Sequence, residues 1–78
     1  MPTTPQEVAN YVNGLDGYTA TVSGEDVTVT HSGKTAKALR RGGIYMFMDT
    51  SGNLTDLSIG QSNTPAKILA TLKREADL

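Results

Sequence analysis

Between Tyr18 and Gly60 the chain is a series of short runs rich in threonine and valine, separated by glycine-bearing turns. Turns this tight join only antiparallel neighbours, and each turn length fixes which residues face each other. Gly24-Glu25, as a two-residue turn, sets Val22 opposite Val27, Ala20 opposite Val29 and Tyr18 opposite His31. Ser32-Gly33 does the same for the next pair of strands, setting Val29 opposite Ala36 and Val27 opposite Ala38. The apolar residues stay on one face through both hairpins, so the two registers support each other.

The fourth strand is harder to orient. Arg40-Arg41-Gly42-Gly43 leads into Ile44-Tyr45-Met46-Phe47-Met48, which is apolar at every position. Alternation sends Ile44, Met46 and Met48 to one face and Tyr45 and Phe47 to the other. Placing the aliphatic set in the core requires an odd loop, because a two-residue turn exchanges the faces. Arg41-Gly42-Gly43 meets that requirement, with Gly43 as the left-handed residue that ends such a loop. The expected pairs are then Ala38 with Met46 and Ala36 with Met48. Ser51-Gly52 continues the pattern, pairing Met48 with Thr55, Met46 with Leu57 and Ile44 with Ile59.

Helix signals flank these strands. Thr4-Pro5-Gln6-Glu7 is a capping box with proline at the first helical position. Val8, Tyr11, Val12 and Leu15 follow at helical spacing, and Gly14 is placed as a left-handed stop, predicting a helix over Pro5–Asn13. Thr64-Pro65 repeats the device ahead of Ile68, Leu69, Leu72 and Ala76, predicting a second helix from Pro65 to about Ala76. The fold class is α+β: an antiparallel β-meander of about five strands, with an N-terminal and a C-terminal helix packed on one face. Residues 1–78 form a single small domain, which buries only roughly 60 to 65% of its unfolded surface.

Such a meander leaves its second face open. Most of that face is threonine, but Leu39, Tyr45 and Phe47 are not polar, and Lys37 lies among them. These four, with Arg40 and Arg41 at the loop rim, are the expected binding residues, since aromatics and arginine are enriched at binding hot spots. The expected partner is a protein or a second copy of the chain. The alternative is single-stranded nucleic acid, with bases stacked on Tyr45 and Phe47 beside the basic segment Lys34–Arg41. That segment lies within an interval, Val27 to Met48, that has no Asp or Glu. The whole chain nonetheless balances seven basic against eight acidic residues, which argues against a broad polyanion-binding surface.

No enzyme signature emerges. There is no cysteine, which removes disulfides, thiolate metal sites and thiol nucleophiles together. His31 is the only histidine, and the register places it across from Tyr18, where a hydrogen bond to that ring or to backbone accounts for it. Asp49, Asp56, Glu25 and Asp26 read as turn chemistry rather than as metal ligands or an acid–base pair. Gly33-Lys34-Thr35 resembles the end of a phosphate-binding loop, but Thr28 stands where that loop needs a glycine. No cofactor, metal or small-molecule substrate is implied.

Two nucleic-acid-binding families bear comparison. Arg41, Gly42, Tyr45 and Met48 resemble the RNA-recognition strand motif, whereas Gly43 and Ile44 depart from it and the order of elements differs. The sequence of helix, strands and helix resembles double-stranded RNA-binding domains, without the basic cluster that opens their final helix; Asn63-Thr64-Pro65-Ala66-Lys67 stands there instead. Membership of neither family follows. No stretch approaches the roughly 18 continuous apolar residues of a membrane span, so no membrane role is expected. The expected setting is the cytoplasm of a bacterial cell or phage-infected host, and the expected role is that of a small non-enzymatic accessory, regulatory or host-inhibitory binding protein.

Overall fold

A computed structural model describes residues Met1–Leu78. The element order is α1 (Pro5–Asn13), β1 (Tyr18–Ser23), β2 (Asp26–His31), β3 (Lys34–Arg41), β4 (Ile44–Met48), β5 (Leu54–Gly60) and α2 (Pro65–Glu75). The strands form one antiparallel sheet in the order β1-β2-β3-β4-β5, and both helices lie on one of its faces.

The helix termini form as their sequences require. Thr4 accepts a hydrogen bond from the Glu7 amide at 3.2 Å, and the Glu7 carboxylate accepts one from the Thr4 amide at 3.0 Å, satisfying two otherwise free donors of the first turn. The bond from the Thr4 amide holds the Glu7 carboxyl below its ordinary pKa. Thr64 caps α2 through the Lys67 amide alone, without a reciprocal side-chain bond, while Lys73 and Arg74 place positive charge at its C-terminal end, where the helix dipole favours it. Two details differ from the sequence reading. Gly14 is right-handed at φ −80°, so the chain turns instead at Gly17, with φ +83°. Tyr11 remains exposed, because the buried stripe of α1 is Pro5, Val8, Ala9 and Val12.

The first two hairpins have the expected registers, including Val22 with Val27, Ala20 with Val29 and Val27 with Ala38. Ser32 and Gly33 both adopt positive φ, the geometry of a two-residue turn whose twist matches the strands.

The third hairpin differs. Its turn is the two residues Gly42-Gly43, with Arg41 opposite Ile44, and the left-handed residue is Gly42 rather than Gly43. Ala38 therefore pairs with Phe47, Arg40 with Tyr45 and Leu39 with Met46. That one-residue change reverses the faces of β4. Tyr45 and Phe47 are fully buried under the helices, whereas Ile44, Met46 and Met48 lie on the opposite face. The next hairpin shifts with it: Ile59 faces Tyr45, Ser58 faces Met46 and Leu54 faces Met48.

Packing depth accounts for this choice. The helix face of the sheet is floored by Ala20, Ala36 and Ala38, with Val27 and Val29 beside them. Small residues there leave space beneath Val8 and Val12 of α1 and Ile68 and Leu72 of α2, and two aromatic rings fill it. The Tyr45 hydroxyl also finds a partner, donating to the Thr3 carbonyl at 2.7 Å.

Candidate functional site

Only the face of the sheet away from the helices lacks a covering layer, and it has two unlike halves. Over β1 and β2 it carries Thr19, Thr21, Thr28 and Thr30, a surface that water solvates well. Over β3, β4 and β5 it carries Leu39, Ile44, Met46, Met48 and Leu54, with Lys37 and Arg41 among them. Ile44 is 39% exposed and Leu54 53%, while Leu39 falls to 7% between its cross-strand neighbours Asp26 and Met46. Leu39 lies outside the helix-side core, so its burial belongs to this second cluster.

The expected binding residues are thus divided. Leu39 and Lys37 lie on the open face as anticipated, and Arg41 lies at its rim. Tyr45 and Phe47 do not, because the two-residue turn carries them into the core. Arg40 is also on the helix face, where its guanidinium meets the Glu25 carboxylate at 2.6 Å. Ile44, Met46, Met48 and Leu54 complete the face and are not among the expected binding residues. The first three are signalled by a strand apolar at every position, but the odd-loop parity puts them on the wrong side.

The basic segment is largely neutralised. Arg41 bonds Asp26 at 2.7 Å, and that bond and its charge raise the guanidinium pKa further. Lys34 lies 3.8 Å from Asp77, leaving Lys37 as the one basic residue of the sheet outside an ion pair. Base stacking needs an accessible ring, and neither Tyr45 nor Phe47 offers one. The surface anticipated for single-stranded nucleic acid is therefore not assembled.

His31 and Asp49 have structural partners. His31 stacks on Tyr18 with ring centroids 3.9 Å apart and planes 4° from parallel. Its Nδ1 lies 2.9 Å from the Gly17 carbonyl, which can only accept, so Nδ1 carries the proton. Asp49 accepts hydrogen bonds from the Ser51 and Asn53 amides and organises the turn between β4 and β5. The structure has no pocket and no cluster of three His, Asp or Glu side chains suited to a metal ion. No helix is long and apolar enough to cross a membrane.

Both sheet edges are obstructed, which leaves the open face as the uncovered surface of the sheet. At β1 the side-chain amide of Asn13 acts as a substitute strand, donating to the Ala20 carbonyl at 3.0 Å and accepting from the Ala20 amide at 2.8 Å. At β5 the ladder bulges, with Thr55, Asp56 and Leu57 set against the single residue Phe47. Bulges and edge charges both discourage strand addition. Asn13→Ala should cost about 1–2 kcal/mol through the two lost hydrogen bonds. Asn13→Asp, which keeps the acceptor but sets a carboxylate oxygen against the Ala20 carbonyl, should cost at least as much. Urea denaturation and hydrogen exchange at the Ala20 amide test both expectations.

Compared with known proteins, the chain matches no protein-family model, no curated protein and no solved structure.

Proposed function

We propose that this is a small non-enzymatic binding protein that engages a protein partner through the open sheet face over β3, β4 and β5. The observation that carries the reading is the contiguous apolar set Leu39, Ile44, Met46, Met48 and Leu54 on the side opposite both helices. Contiguous apolar surface of this kind marks interaction sites in soluble proteins. Two methionines at its centre suit that use, because an unbranched thioether side chain repacks readily against a partner. The non-enzymatic part of the reading rests on the commitment of the single histidine to a ring stack and of Glu25, Asp26 and Asp49 to ion pairs and a turn.

Met46→Glu with Met48→Glu tests the surface without touching the helix-side core. The double variant should keep the wild-type circular dichroism spectrum. It should also lose the proteins that the tagged wild type captures from a lysate of the expected bacterial or phage-infected cell. Capture of the same proteins by both forms would place the binding surface elsewhere and end this reading.

A further inference from the structure

The open face is complementary to itself, and we infer that its partner is a second copy of this chain, docked sheet against sheet. The inference rests on the binding role of that face and names its occupant. Read across from β3 to β5, the face has three rows: Lys37, Met48 and Leu54; Leu39, Met46 and Ser58; Arg41, Ile44 and Gly60. In the last two rows the β3 side chain is large and the β5 residue is small. A two-fold axis running along β4, between the copies, lays β3 of each over β5 of the other. Leu39 then stands over Ser58 of the second copy and Arg41 over its Gly60, while Met46 and Met48 meet their own counterparts at the centre. Facing sheets pack about 10 Å apart, a gap that side chains of this length fill from both sides.

Charge follows the same symmetry. Lys37 on β3 has no ion-pair partner, and neither has Asp56, which is exposed on β5. The axis along β4 brings Lys37 over Leu54 of the second copy, two residues from that copy's Asp56. The lysine stem covers the leucine and its ammonium reaches toward the carboxylate. Two such contacts form per dimer, and each copy satisfies the other's unpaired charge. Because Asn13 blocks one sheet edge and the bulge distorts the other, association by this face closes at two copies. Five strands span only about 24 Å. The face is therefore small beside the roughly 800 Å² that each partner contributes to a standard interface, and exchange between monomer and dimer should depend on concentration.

Sedimentation equilibrium of the intact protein from roughly 10 μM to 1 mM tests this. The wild type should pass from monomer to dimer across the range, and Met46→Glu should weaken association at least about tenfold by burying an unpaired charge. Lys37→Glu and Asp56→Lys should each weaken it about three- to tenfold, as rim ion pairs do. An equimolar mixture of those two variants should associate as the wild type does, because each copy then presents the charge that the other lacks. A wild type that stays monomeric throughout overturns the inference. So does a dimer indifferent to Met46→Glu, or a mixture no tighter than its components. If the protein is monomeric yet captures a lysate protein in a manner dependent on Met46 and Met48, the binding role of the face stands and only self-association falls.

Discussion

Phe47→Ala should lower the stability of the protein by about 3–5 kcal/mol, because it empties the space of a fully buried ring above the alanines of the sheet. Chains of this size are stable by roughly 4–12 kcal/mol in all, so the loss is a large fraction of the total. It should lower the melting temperature by about 15 °C or more. The neighbouring truncation, Met46→Ala, removes a half-exposed side chain from the other face and should cost about 1 kcal/mol or less. The contrast between adjacent positions is the informative quantity. A three-residue loop at Arg41-Gly42-Gly43 would reverse it, making Met46 the costly site and Phe47 the tolerant one. Urea denaturation of both variants, followed by far-ultraviolet circular dichroism, decides between the two arrangements.

Tyr45→Phe should cost about 1–3 kcal/mol, although it deletes a single oxygen. The Tyr45 hydroxyl donates to the Thr3 carbonyl in the interior, and without it that carbonyl has lost its buried donor. The same bond ties the N-terminal segment to the sheet, together with the Thr3 amide, which donates to the Gln61 carbonyl at 2.7 Å. The variant should therefore show faster hydrogen exchange at the Thr3 amide as well as lower stability.

The pH profile offers a second readout at this position. Burial pushes the Tyr45 phenol above its ordinary pKa, while the Arg40 cation works in the opposite direction and the Glu25 and Glu7 charges add to the rise. The neutral phenol is thus favoured more in the folded chain than in the unfolded one. Its contribution is fully present below the unfolded value near ~10 and declines as pH rises from there through the folded value. Wild-type protein should lose stability along that alkaline limb, and Tyr45→Phe should lose less. Equal alkaline slopes would show that the Tyr45 phenol ionises as freely in the folded protein as in the unfolded chain.

Much of the architecture is legible in local chemistry. Thr-Pro starts mark both helices, and a capping proline needs no tertiary partner to favour the first turn. Ser32-Gly33 and Gly24-Glu25 fix their hairpins because a two-residue turn allows one register, and the valines and alanines on one face agree with it. The open face was legible as a location, and Leu39, Lys37 and Arg41 were placed on or beside it. Its central residues are not legible there, because an odd loop at Arg41-Gly42-Gly43 puts Ile44, Met46 and Met48 in the core. The ion pairs of Arg40 with Glu25 and Arg41 with Asp26 join residues 15 positions apart. The register that sets Val27 opposite Ala38 brings Glu25 opposite Arg40, whereas the Arg41–Asp26 pair is diagonal and does not follow from the register alone.

The sequence by itself determined the elements, their order, the antiparallel pairing and the registers of the first two hairpins, all consequences of interactions within a few residues. It also determined that the fourth strand would be apolar on both sides. Which side faces the helices was decided only in the tertiary structure. Three aliphatic side chains and two aromatic ones offer comparable apolar area, and two glycines in succession accept either a two-residue or a three-residue turn, so neither hydrophobicity nor turn chemistry distinguishes the two parities. The choice depends on the depth above Ala36 and Ala38 once both helices are in place, and on a carbonyl at Thr3 that lies 42 residues from the Tyr45 hydroxyl it receives. Those are properties of the assembled core, and they turn the rings inward and leave the methionines facing out.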